Sequence, residues 1–338
     1  MKRYLLTFAA AAAALMCAPA SAQTVLTGSS WIHPTHALTV SLREWCGLVE
    51  KNSNGKVKCN ILPRHVSTAP GTYDAVRNGL VDVSFTVHGY TPGRFLLTKM
   101  AEFPFLGDSS EPISVAFNRV AMKYPQFGTE HPGVKPLAYF THGPGVVFNT
   151  KKPVAKMDDL LGLKWRVGGG VVNDISKAIG MNVTLKPAPE SYELLSGGVM
   201  DGTLFPAESV EGFRLDKIIK HQTIFPGGLY NTSFVFMMNA DKYNKLAPDE
   251  KKAVDDASGE VLARLIGRQW DKADRLSNAL MQANNVATVK ADAKFVADIK
   301  AKTSPLEQAW VKDAEAKGLK DAAKVLAEFR SEIAKASK

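Results

Sequence analysis

The residue of this sequence best placed to do chemistry is an arginine between a strand-like run and a glycine loop. Arg166 lies near the end of the apolar run Leu163 to Val167, and Gly168-Gly-Gly170 follows directly. A helical pattern begins at Val171, so the N–H groups of a helix N-terminus would lie beside the guanidinium. A guanidinium presents a rigid planar fork of donors that matches a carboxylate. The pattern therefore permits a site for a planar anion, although an arginine with this pattern alone more often forms an ordinary surface ion pair.

Residue patterns typical of catalysis or of metal binding are absent from the sequence. Neither a nucleophile elbow, a Walker loop nor a zincin spacing occurs, and Ser53-Asn-Gly-Lys56 matches Ser-x-x-Lys only within a turn. Gly168-Gly-Gly170 lacks the dinucleotide-binding fingerprint. His33 and His36 have a His-x-x-His spacing without a third ligand nearby, so one of them is expected to cap or line the start of the first helix. We expect no enzymatic activity, no cofactor and no metal.

The first 22 residues have the pattern of an export signal. Lys2 and Arg3 precede an apolar run from Tyr4 to Ala18, and Ala20-Ser-Ala22 supplies the small residues of a cleavage site. The run is too short for a membrane anchor. We expect residues 1–22 to be a signal peptide, with cleavage near Gln23 and the remaining chain in the periplasm.

Two cysteines, Cys46 and Cys59, remain after that cleavage. Cys46 lies on a helical pattern, and Cys59 lies on the strand-like run Val57 to Leu62 that follows it. In an oxidising compartment an even pair favours a disulfide from helix to strand, which would stabilise the fold by roughly 3 kcal/mol at most because its loop is short. The alternative is two buried free thiols.

Two stretches of the chain, 119 positions apart, have nearly the same pattern. They begin at Tyr73 and Tyr192, and each reads Tyr, acid, any residue, aliphatic, two spacers, Gly, two aliphatics and Asp. Each predicts a helix with Tyr and aliphatic residues on its inner face, ended by a left-handed glycine and followed by a strand. Strand-like runs and helical patterns precede both copies in the same order. The sequence therefore predicts two similar βαβ lobes, with a cleft between them at the carboxyl ends of parallel strands.

The predicted domain organisation is an α/β fold in which the chain passes more than once between the two lobes. Residues 23–143 plus about 234–270 would form lobe I, and residues 144–233 plus about 271–338 would form lobe II. A helical pattern from Pro248 to about Asn284 is long enough to span both lobes, and Ser258-Gly259 is a point where it could bend. Amphipathic patterns in 293–334 are expected to pack on the outside of lobe II.

The charge of the chain favours a small anionic ligand over a nucleic acid. Its 42 basic residues include Lys2 and Arg3, which leaves 40 against 33 acidic residues and a net charge of +7 after residue 22. These charges are scattered and do not alternate with aromatic residues as in single-strand binders. A modest positive surface would attract anions toward a cleft.

Taken in order, these features resemble the DctP-like solute-binding proteins of the tripartite ATP-independent periplasmic (TRAP) transporters, over essentially the whole chain after residue 22. The motifs that carry the resemblance are Trp31-Ile-His-Pro-Thr-His36, Asp74-Ala-Val-Arg-Asn-Gly-Leu-Val-Asp82, Gly89-Tyr-Thr-Pro-Gly-Arg-Phe95, Gly162-Leu-Lys-Trp-Arg-Val167, and Gly198-Val-Met-Asp-Gly202 with Pro206. The resemblance implies a two-lobed fold like that of type II periplasmic binding proteins, an organic acid ligand, and delivery to TRAP permease subunits. It also implies that Arg166 grips the ligand carboxylate. A monomer that is not itself inserted in the membrane is expected.

The duplication adds further candidates for the cleft. Trp31 follows the first strand of lobe I as Gly168 follows the matching strand of lobe II, so both loops should face the ligand. His88 and Tyr90 follow the first repeat and are predicted donors from lobe I, while Trp31 and Phe205 are predicted apolar walls. Core packing is the alternative for each aromatic residue.

Two further positions bear on the ligand's character. Glu208 would either accept a hydrogen bond from a ligand hydroxyl or face solvent. Phe148 is a candidate ligand-binding residue, and its apolar side chain lies where some members of the resembled family offer a second cationic or polar contact. A second carboxylate buried without a partner would cost several kcal/mol. The sequence therefore favours a monocarboxylate with an apolar or aromatic body. A binding protein for another importer or a chemoreceptor, or a periplasmic enzyme, is the alternative.

Overall fold

The computed structural model describes residues 23–338. The predicted signal peptide, residues 1–22, lies outside the described residues. None of the helices in the described part combines the length and the apolar character that crossing a bilayer requires.

Five strands form the first sheet, in the order β2-β1-β3-β10-β4. Their bounds are Thr24–Gly28 (β1), Val57–Ile61 (β2), Val83–Val87 (β3), Val134–Thr141 (β4) and Ser233–Asn239 (β10). Strand β1 is parallel to β2 and β3, whereas β10 is antiparallel to both β3 and β4. Every residue of β3 and β10 is buried, which is typical of strands covered on both faces.

Six strands form the second sheet, in the order β11-β9-β5-β8-β6-β7. Their bounds are Val146–Asn149 (β5), Lys164–Val167 (β6), Asn182–Leu185 (β7), Gly202–Phe205 (β8), His221–Ile224 (β9) and Ala287–Lys290 (β11). Strand β6 is parallel to β7 and β8, and β5 runs antiparallel between β8 and β9. Each sheet thus has a parallel βαβ core next to an antiparallel strand, β10 in the first sheet and β5 in the second. The predicted pair of similar α/β lobes is confirmed.

Helices cover both sheets. In chain order they are α1 Ala37–Asn52, α2 Thr72–Arg77, α3 Ser110–Lys123, α4 Pro125–Thr129, α5 Val171–Ala178, α6 Ser191–Ser196, α7 Glu208–Gly212, α8 Ala240–Lys245, α9 Pro248–Asp256, α10 Glu260–Ala283, α11 Ala293–Ala316 and α12 Ala322–Ala336. Single-turn 3-10 segments add His88–Tyr90, Met157–Leu160 and Ala188–Glu190, and a longer one covers Leu97–Glu102.

The repeated motif forms the same joint in both lobes. Helix α2 leads into β3 through Gly79, and α6 leads into β8 through Gly198, with φ angles of 73° and 68°. Both glycines occupy the left-handed region, where a side chain is disfavoured. The inner faces differ, however: Tyr73 is fully buried, but Tyr192 is 44% exposed. The prediction that Tyr192 packs inward is therefore wrong, and Leu195 is the buried apolar residue of that helix.

The helical pattern from Pro248 to Asn284 is two helices, α9 and α10, rather than one. Gly259 separates them with φ 61° and ψ −133°, which only glycine adopts readily, and its N–H donates to the Leu137 carbonyl at 2.6 Å. Helix α10 then packs against α1 and α3 beside the first sheet and against α7 beside the second. The expected bend is thus a complete break, whereas the expectation that this region bridges the two lobes is confirmed.

The last helix lies elsewhere than the sequence indicates. Helix α11 packs against α5 of the second lobe, but α12 packs against α3 of the first. Glu328 accepts hydrogen bonds from Lys123 and Tyr124, and Glu332 pairs with Arg119. The apolar face of α12 is buried against α3, where Phe329 contacts Phe117. The prediction that both C-terminal helices pack on the second lobe is therefore wrong.

The predicted disulfide is present and joins Cys46 of α1 to Cys59 of β2. The Cα atoms are 5.7 Å apart, within the range that a disulfide bridges without moving the backbone. It ties the first helix to the outermost strand of the first sheet.

Candidate ligand-binding site

A small, mainly apolar cavity lies where the two lobes meet. Its walls come from the loops after β1, β3, β6 and β8, the segments that cross between the lobes, and helix α10. The lining residues on which the chemistry depends are Trp31, Tyr90, His142, Arg166, Gly168, Phe205, Tyr230 and Trp270. The cavity therefore occupies the position that open α/β sheets use for ligands, at the carboxyl ends of parallel strands.

Arg166 reaches this cavity from the carboxyl end of β6. Its side chain is 1% exposed, and Nε donates to the Lys186 carbonyl at 2.8 Å, whereas Nη2 finds no hydrogen-bond partner in the described residues 23–338. The guanidinium carbon lies 4.3 Å from the centre of the Phe205 ring. Burial lowers the pKa of Arg166, while Tyr90 and Tyr230 beside it act in the opposite direction. An arginine keeps its charge at neutral pH despite such shifts, so the cavity contains a buried cation with a free donor.

Two tyrosines flank the guanidinium. The Tyr90 hydroxyl accepts a hydrogen bond from the Ala188 N–H at 2.9 Å, and Tyr230 is 2% exposed. Burial raises the pKa of both phenols, although the neighbouring Arg166 opposes this shift. Both hydroxyls therefore remain protonated and can donate to a bound anion. Tyr230 was not identified from the sequence.

Aromatic rings form the rest of the walls. The Trp31 indole N–H donates to the Phe85 carbonyl at 3.0 Å, and its ring meets Tyr90 edge-on at 5.8 Å. Because that N–H is already paired, Trp31 offers the cavity only its apolar ring. Phe205 stacks on Phe213, with ring centres 5.5 Å apart and an interplanar angle of 14°.

A second group of side chains closes the cavity where the chain crosses between the lobes. His142 lies directly after β4, Thr232 directly before β10, and Trp270 on α10. The His142 Nδ1 donates to the Gly143 carbonyl, and burial lowers the pKa of His142 to about 4, so its ring is neutral at pH 7. These residues were missed because the sequence analysis followed the repeat. The Gly-Pro-Gly run that follows His142, directly after an apolar strand, was the available signal.

His88 is a predicted donor that the structure places away from the cavity. Its Nδ1 pairs with the Ser233 hydroxyl at 2.9 Å and its Nε2 with Nε2 of His131 at 3.0 Å, and it is 3% exposed. His88 and Tyr90 belong to one 3-10 turn, in which residues two apart point in different directions. Tyr90 therefore faces the cavity while His88 points into the core of the first lobe.

Phe148 and Glu208 also lie away from the cavity. Phe148 is fully buried in the middle of β5, where it packs with Val146 against the core of the second lobe. Glu208 begins α7 and pairs with His36 at 2.8 Å, both side chains being nearly inaccessible to solvent. Burial raises the pKa of Glu208, but His36 and Ser209 outweigh that effect and leave it below its ordinary value. Neither of the roles considered for Glu208, ligand contact or solvent exposure, fits this placement.

The two histidines near the start of α1 connect the lobes. His36 caps α1, because its Nδ1 accepts from the Leu38 N–H, and its Nε2 meets Glu208 of the second lobe. His33 pairs with the Gly212 carbonyl at 2.8 Å, also across the gap. Within residues 23–338 no group of three His, Cys, Asp or Glu side chains is arranged to hold a metal ion. The expected capping role of this pair is confirmed for His36.

Close backbone contact between the lobes lies beside the cavity. A Cβ atom added to Gly89 would come within 2.7 Å of the Gly169 carbonyl carbon and the Gly170 nitrogen. The Glu102 carboxylate lies next to this contact, accepting from the Val171 N–H at 2.7 Å and from the Ser233 hydroxyl at 2.5 Å. The lobes are therefore in contact in this structure, with the cavity enclosed between them.

Comparison with known proteins identifies the family to which this chain belongs. Residues 28–313 match the family model described as bacterial extracellular solute-binding protein, family 7, DctP. A TRAP periplasmic solute-binding protein from Bordetella bronchiseptica, crystallised with bound (R)- and (S)-mandelate, is 44% identical to this chain. The two structures superpose with a TM-score of 0.90 over 92% of this chain and 99% of that one.

Two further solved structures are similar over nearly their whole length. A marine metagenome TRAP protein specific for aromatic acids, in complex with 3-hydroxybenzoate, is 31% identical with a TM-score of 0.86, covering 94% of this chain and 99% of that one. A Rhodoferax ferrireducens TRAP protein with copurified benzoate is 27% identical with the same TM-score, covering 93% and 99%. Each of the three carries an aromatic monocarboxylate.

Proposed function

Because this chain belongs to family 7 of the bacterial extracellular solute-binding proteins, the DctP proteins of TRAP transporters, we propose that it captures a monocarboxylic acid with an aromatic body. It delivers that acid to the membrane subunits of a TRAP permease, whose uptake is driven by an ion gradient. The protein itself carries out no chemistry. Its work is binding, closure and release.

The observation that carries this proposal is the buried, unpaired donor of Arg166. A charge removed from water is costly unless an opposite charge and hydrogen bonds compensate it. Nη2 of Arg166 has no partner among residues 23–338, and no carboxylate of that part of the chain forms an ion pair with the guanidinium. A ligand carboxylate would supply both the charge and the acceptor, with the Tyr90 and Tyr230 hydroxyls beside it.

The other residues that line the cavity support a ligand with a single carboxylate and an aromatic body. Apart from Arg166, the basic side chains of the lining are His142, which is neutral, and His36, which is paired with Glu208. A second ligand carboxylate would thus be buried without a cation. The rings of Trp31, Phe205 and Trp270 offer apolar surface to an aromatic body, and the three similar structures hold mandelate, 3-hydroxybenzoate and benzoate.

We further propose that residues 1–22 are removed on export and that the protein works in the periplasm as a monomer. TRAP solute-binding proteins are periplasmic, and the disulfide between Cys46 and Cys59 fits an oxidising compartment. The closed form, with both lobes in contact, is the state that the permease would recognise.

The test is a ligand screen on the purified protein. Thermal unfolding is measured with benzoate, phenylacetate, mandelate, succinate and malate, and the acids that raise the melting temperature are titrated by calorimetry. We expect the aromatic monocarboxylates to stabilise the protein and the dicarboxylates to have little effect. Tighter binding of succinate or malate would overturn the assignment of ligand class, and turnover of a bound acid would overturn the assignment as a binding protein.

A further inference from the structure

Two cavity-lining side chains have a buried polar atom without a hydrogen-bond partner in the described chain: Nη2 of Arg166 and Nε1 of Trp270. The carboxylate site accounts for the first. Trp270 is 3% exposed, so bulk water does not reach its N–H. An indole N–H can only donate, and a buried donor left unpaired is costly. The structure therefore has a second, neutral donor in the cavity that a simple carboxylate clamp does not use.

An acceptor lies beside that donor. The rings of His142 and Trp270 have centres 6.0 Å apart, and both line the cavity. Because the Gly143 carbonyl can only accept, Nδ1 of His142 carries the proton, and in the neutral ring Nε2 is left with a lone pair. Within residues 23–338 this Nε2 takes part in no hydrogen bond. The rings that carry this donor and this acceptor are thus neighbours in the cavity lining.

We propose that Trp270 and His142 recognise a hydroxyl group of the ligand, so that the protein selects 2-hydroxy aromatic acids over their unsubstituted analogues. A hydroxyl accepts from the indole N–H and donates to Nε2 of the imidazole, using both groups at once. A 2-oxo group accepts from the indole only, and a methylene group uses neither. This inference rests on the proposed function, since it assumes that Arg166 holds the carboxylate.

The position of Tyr230 places the hydroxyl close to the carboxylate. Its ring meets that of His142 edge-on at 5.3 Å, and its phenol is also a neighbour of the Arg166 guanidinium. A single aromatic ring thus adjoins both recognition points. A substituent on the carbon next to the carboxylate fits this arrangement better than one on the far side of an aromatic ring.

The experiment compares mandelate, phenylglyoxylate and phenylacetate, which carry a hydroxyl, an oxo group and two hydrogens at the same carbon. Dissociation constants are measured by calorimetry for the unmodified protein. One neutral hydrogen bond corresponds to roughly a two- to tenfold change in affinity. We therefore expect mandelate to bind about tenfold or more tightly than phenylacetate, with phenylglyoxylate between them.

Variants test whether Trp270 and His142 cause the preference for mandelate. Trp270→Phe keeps an apolar ring but removes the N–H, so mandelate and phenylglyoxylate should weaken about tenfold while phenylacetate changes little. His142→Phe removes the acceptor, so mandelate should weaken to the affinity of phenylglyoxylate. Trp31→Phe is the matched control: its N–H is bonded to the backbone, and any loss should fall equally on all three acids.

The outcomes separate this inference from the function on which it rests. Equal affinity of the unmodified protein for mandelate and phenylacetate would overturn the inference and leave the proposed function standing. A mandelate preference that survives in Trp270→Phe would also overturn it. Binding of benzoate but of none of the three acids would overturn the inference alone, whereas binding of none of these four aromatic acids would overturn the proposed function itself. The first comparison needs no variant, so it decides the matter even if a substitution prevents folding.

Discussion

At the scale of single residues, the proposed grip on a carboxylate depends on how Arg166 is held. Its Nε is fixed by the Lys186 carbonyl, so the fork enters the cavity in one orientation and loses little freedom when an anion binds. A charge-assisted hydrogen bond contributes roughly 1.5–3 kcal/mol, and micromolar affinity corresponds to roughly 8 kcal/mol. Two such bonds would supply a large share of that affinity.

Replacing Arg166 by lysine tests whether the guanidinium binds the ligand carboxylate through two parallel hydrogen bonds. Lysine keeps the charge but loses both the bond to Lys186 and the second parallel donor, so we expect aromatic acids to bind about 10- to 100-fold more weakly by calorimetry. Arg94→Lys is the control, because Arg94 pairs with Asp74 away from the cavity and should leave affinity unchanged. Near wild-type affinity in Arg166→Lys would count against two-point contact.

His131 gives the stability of the fold a pH dependence. Burial lowers its pKa to about 4, against an ordinary value of 6.5, so between these values the unfolded chain binds a proton that the native state does not. Stability from this residue is complete above pH 6.5 and is lost as the pH falls toward 4, by up to about 3 kcal/mol over the whole window. His131→Phe should therefore flatten the slope of unfolding free energy against pH.

Urea unfolding of both proteins at several pH values between 4.5 and 7 measures that slope. His65→Phe serves as the control, since His65 is exposed and bonds only to the nearby Ser67 carbonyl. His131→Phe also breaks the contact with His88, so a lower stability at pH 7 is expected and does not bear on the slope. An unchanged slope in His131→Phe would show that burial there does not disfavour the charged imidazole.

The way in which each site residue is positioned decides whether the sequence could identify it. Five residues reach the cavity because they lie at or just after the carboxyl ends of parallel strands, a rule that a strand prediction is enough to apply: Trp31, Tyr90, Arg166, Gly168 and Phe205. His142, Tyr230 and Trp270 come from the crossings between lobes and from α10, whose placement depends on tertiary packing. His88 shows a limit of the rule itself, because a 3-10 turn decides which of two neighbouring side chains faces the cavity.

At the scale of elements, closure brings the loop after β3 against the loop after β6. Gly89 and Gly169 meet there with no room for a side chain, and the backbone atoms involved cannot rotate away as a flexible side chain would. The loop after β3 also carries Tyr90, and Arg166 lies in β6 two residues before Gly168 of the other loop. We therefore expect approach of the lobes and assembly of the site to be one event.

Gly89→Ala tests whether close contact between these two loops is needed for ligand binding. The added methyl group would lie within 2.7 Å of backbone atoms of the opposite loop, so we expect the lobes to close incompletely and ligand affinity to fall at least tenfold, measured by calorimetry. Gly47→Ala is the matched control, since nothing lies within 4 Å of its added Cβ on α1 and its affinity should be unchanged. Unaltered affinity in Gly89→Ala would mean that this contact is not needed for binding.

The break between α9 and α10 shows what a helical pattern does not reveal. Apolar periodicity continues across Ser258 and Gly259, so the sequence indicates one helix with at most a bend. The backbone at Gly259 leaves the helical region because its N–H bonds to Leu137 of β4 instead of to the preceding turn. That partner is distant in sequence, and only the assembled lobe provides it.

At the scale of the whole molecule, polar contacts join the two lobes in addition to the chain crossings. His36 with Glu208, His33 with the Gly212 carbonyl, and Glu102 with the Val171 N–H all join one lobe to the other. A bound acid is expected to add contacts from both sides and so to stabilise the closed arrangement relative to an open one.

Small-angle X-ray scattering should detect this shift. We expect the radius of gyration of the ligand-free protein to be larger than that of the protein saturated with mandelate, because the open form populates only without ligand. Succinate at the same concentration is the control and should leave the scattering curve unchanged. Identical radii with and without mandelate would indicate that the lobes stay in contact throughout the cycle.

The position of β10 in the first sheet affects how the chain can be synthesised and folded. Strands β3 and β4 do not touch each other, because β10, about a hundred residues later in the chain, is inserted between them. A growing polypeptide therefore has two unmatched sheet edges until residue 239 has emerged, and pairing over so long a sequence separation is slow. We therefore expect the first sheet to be completed late in synthesis, which would leave its strands extended long enough to pass through a narrow translocation channel.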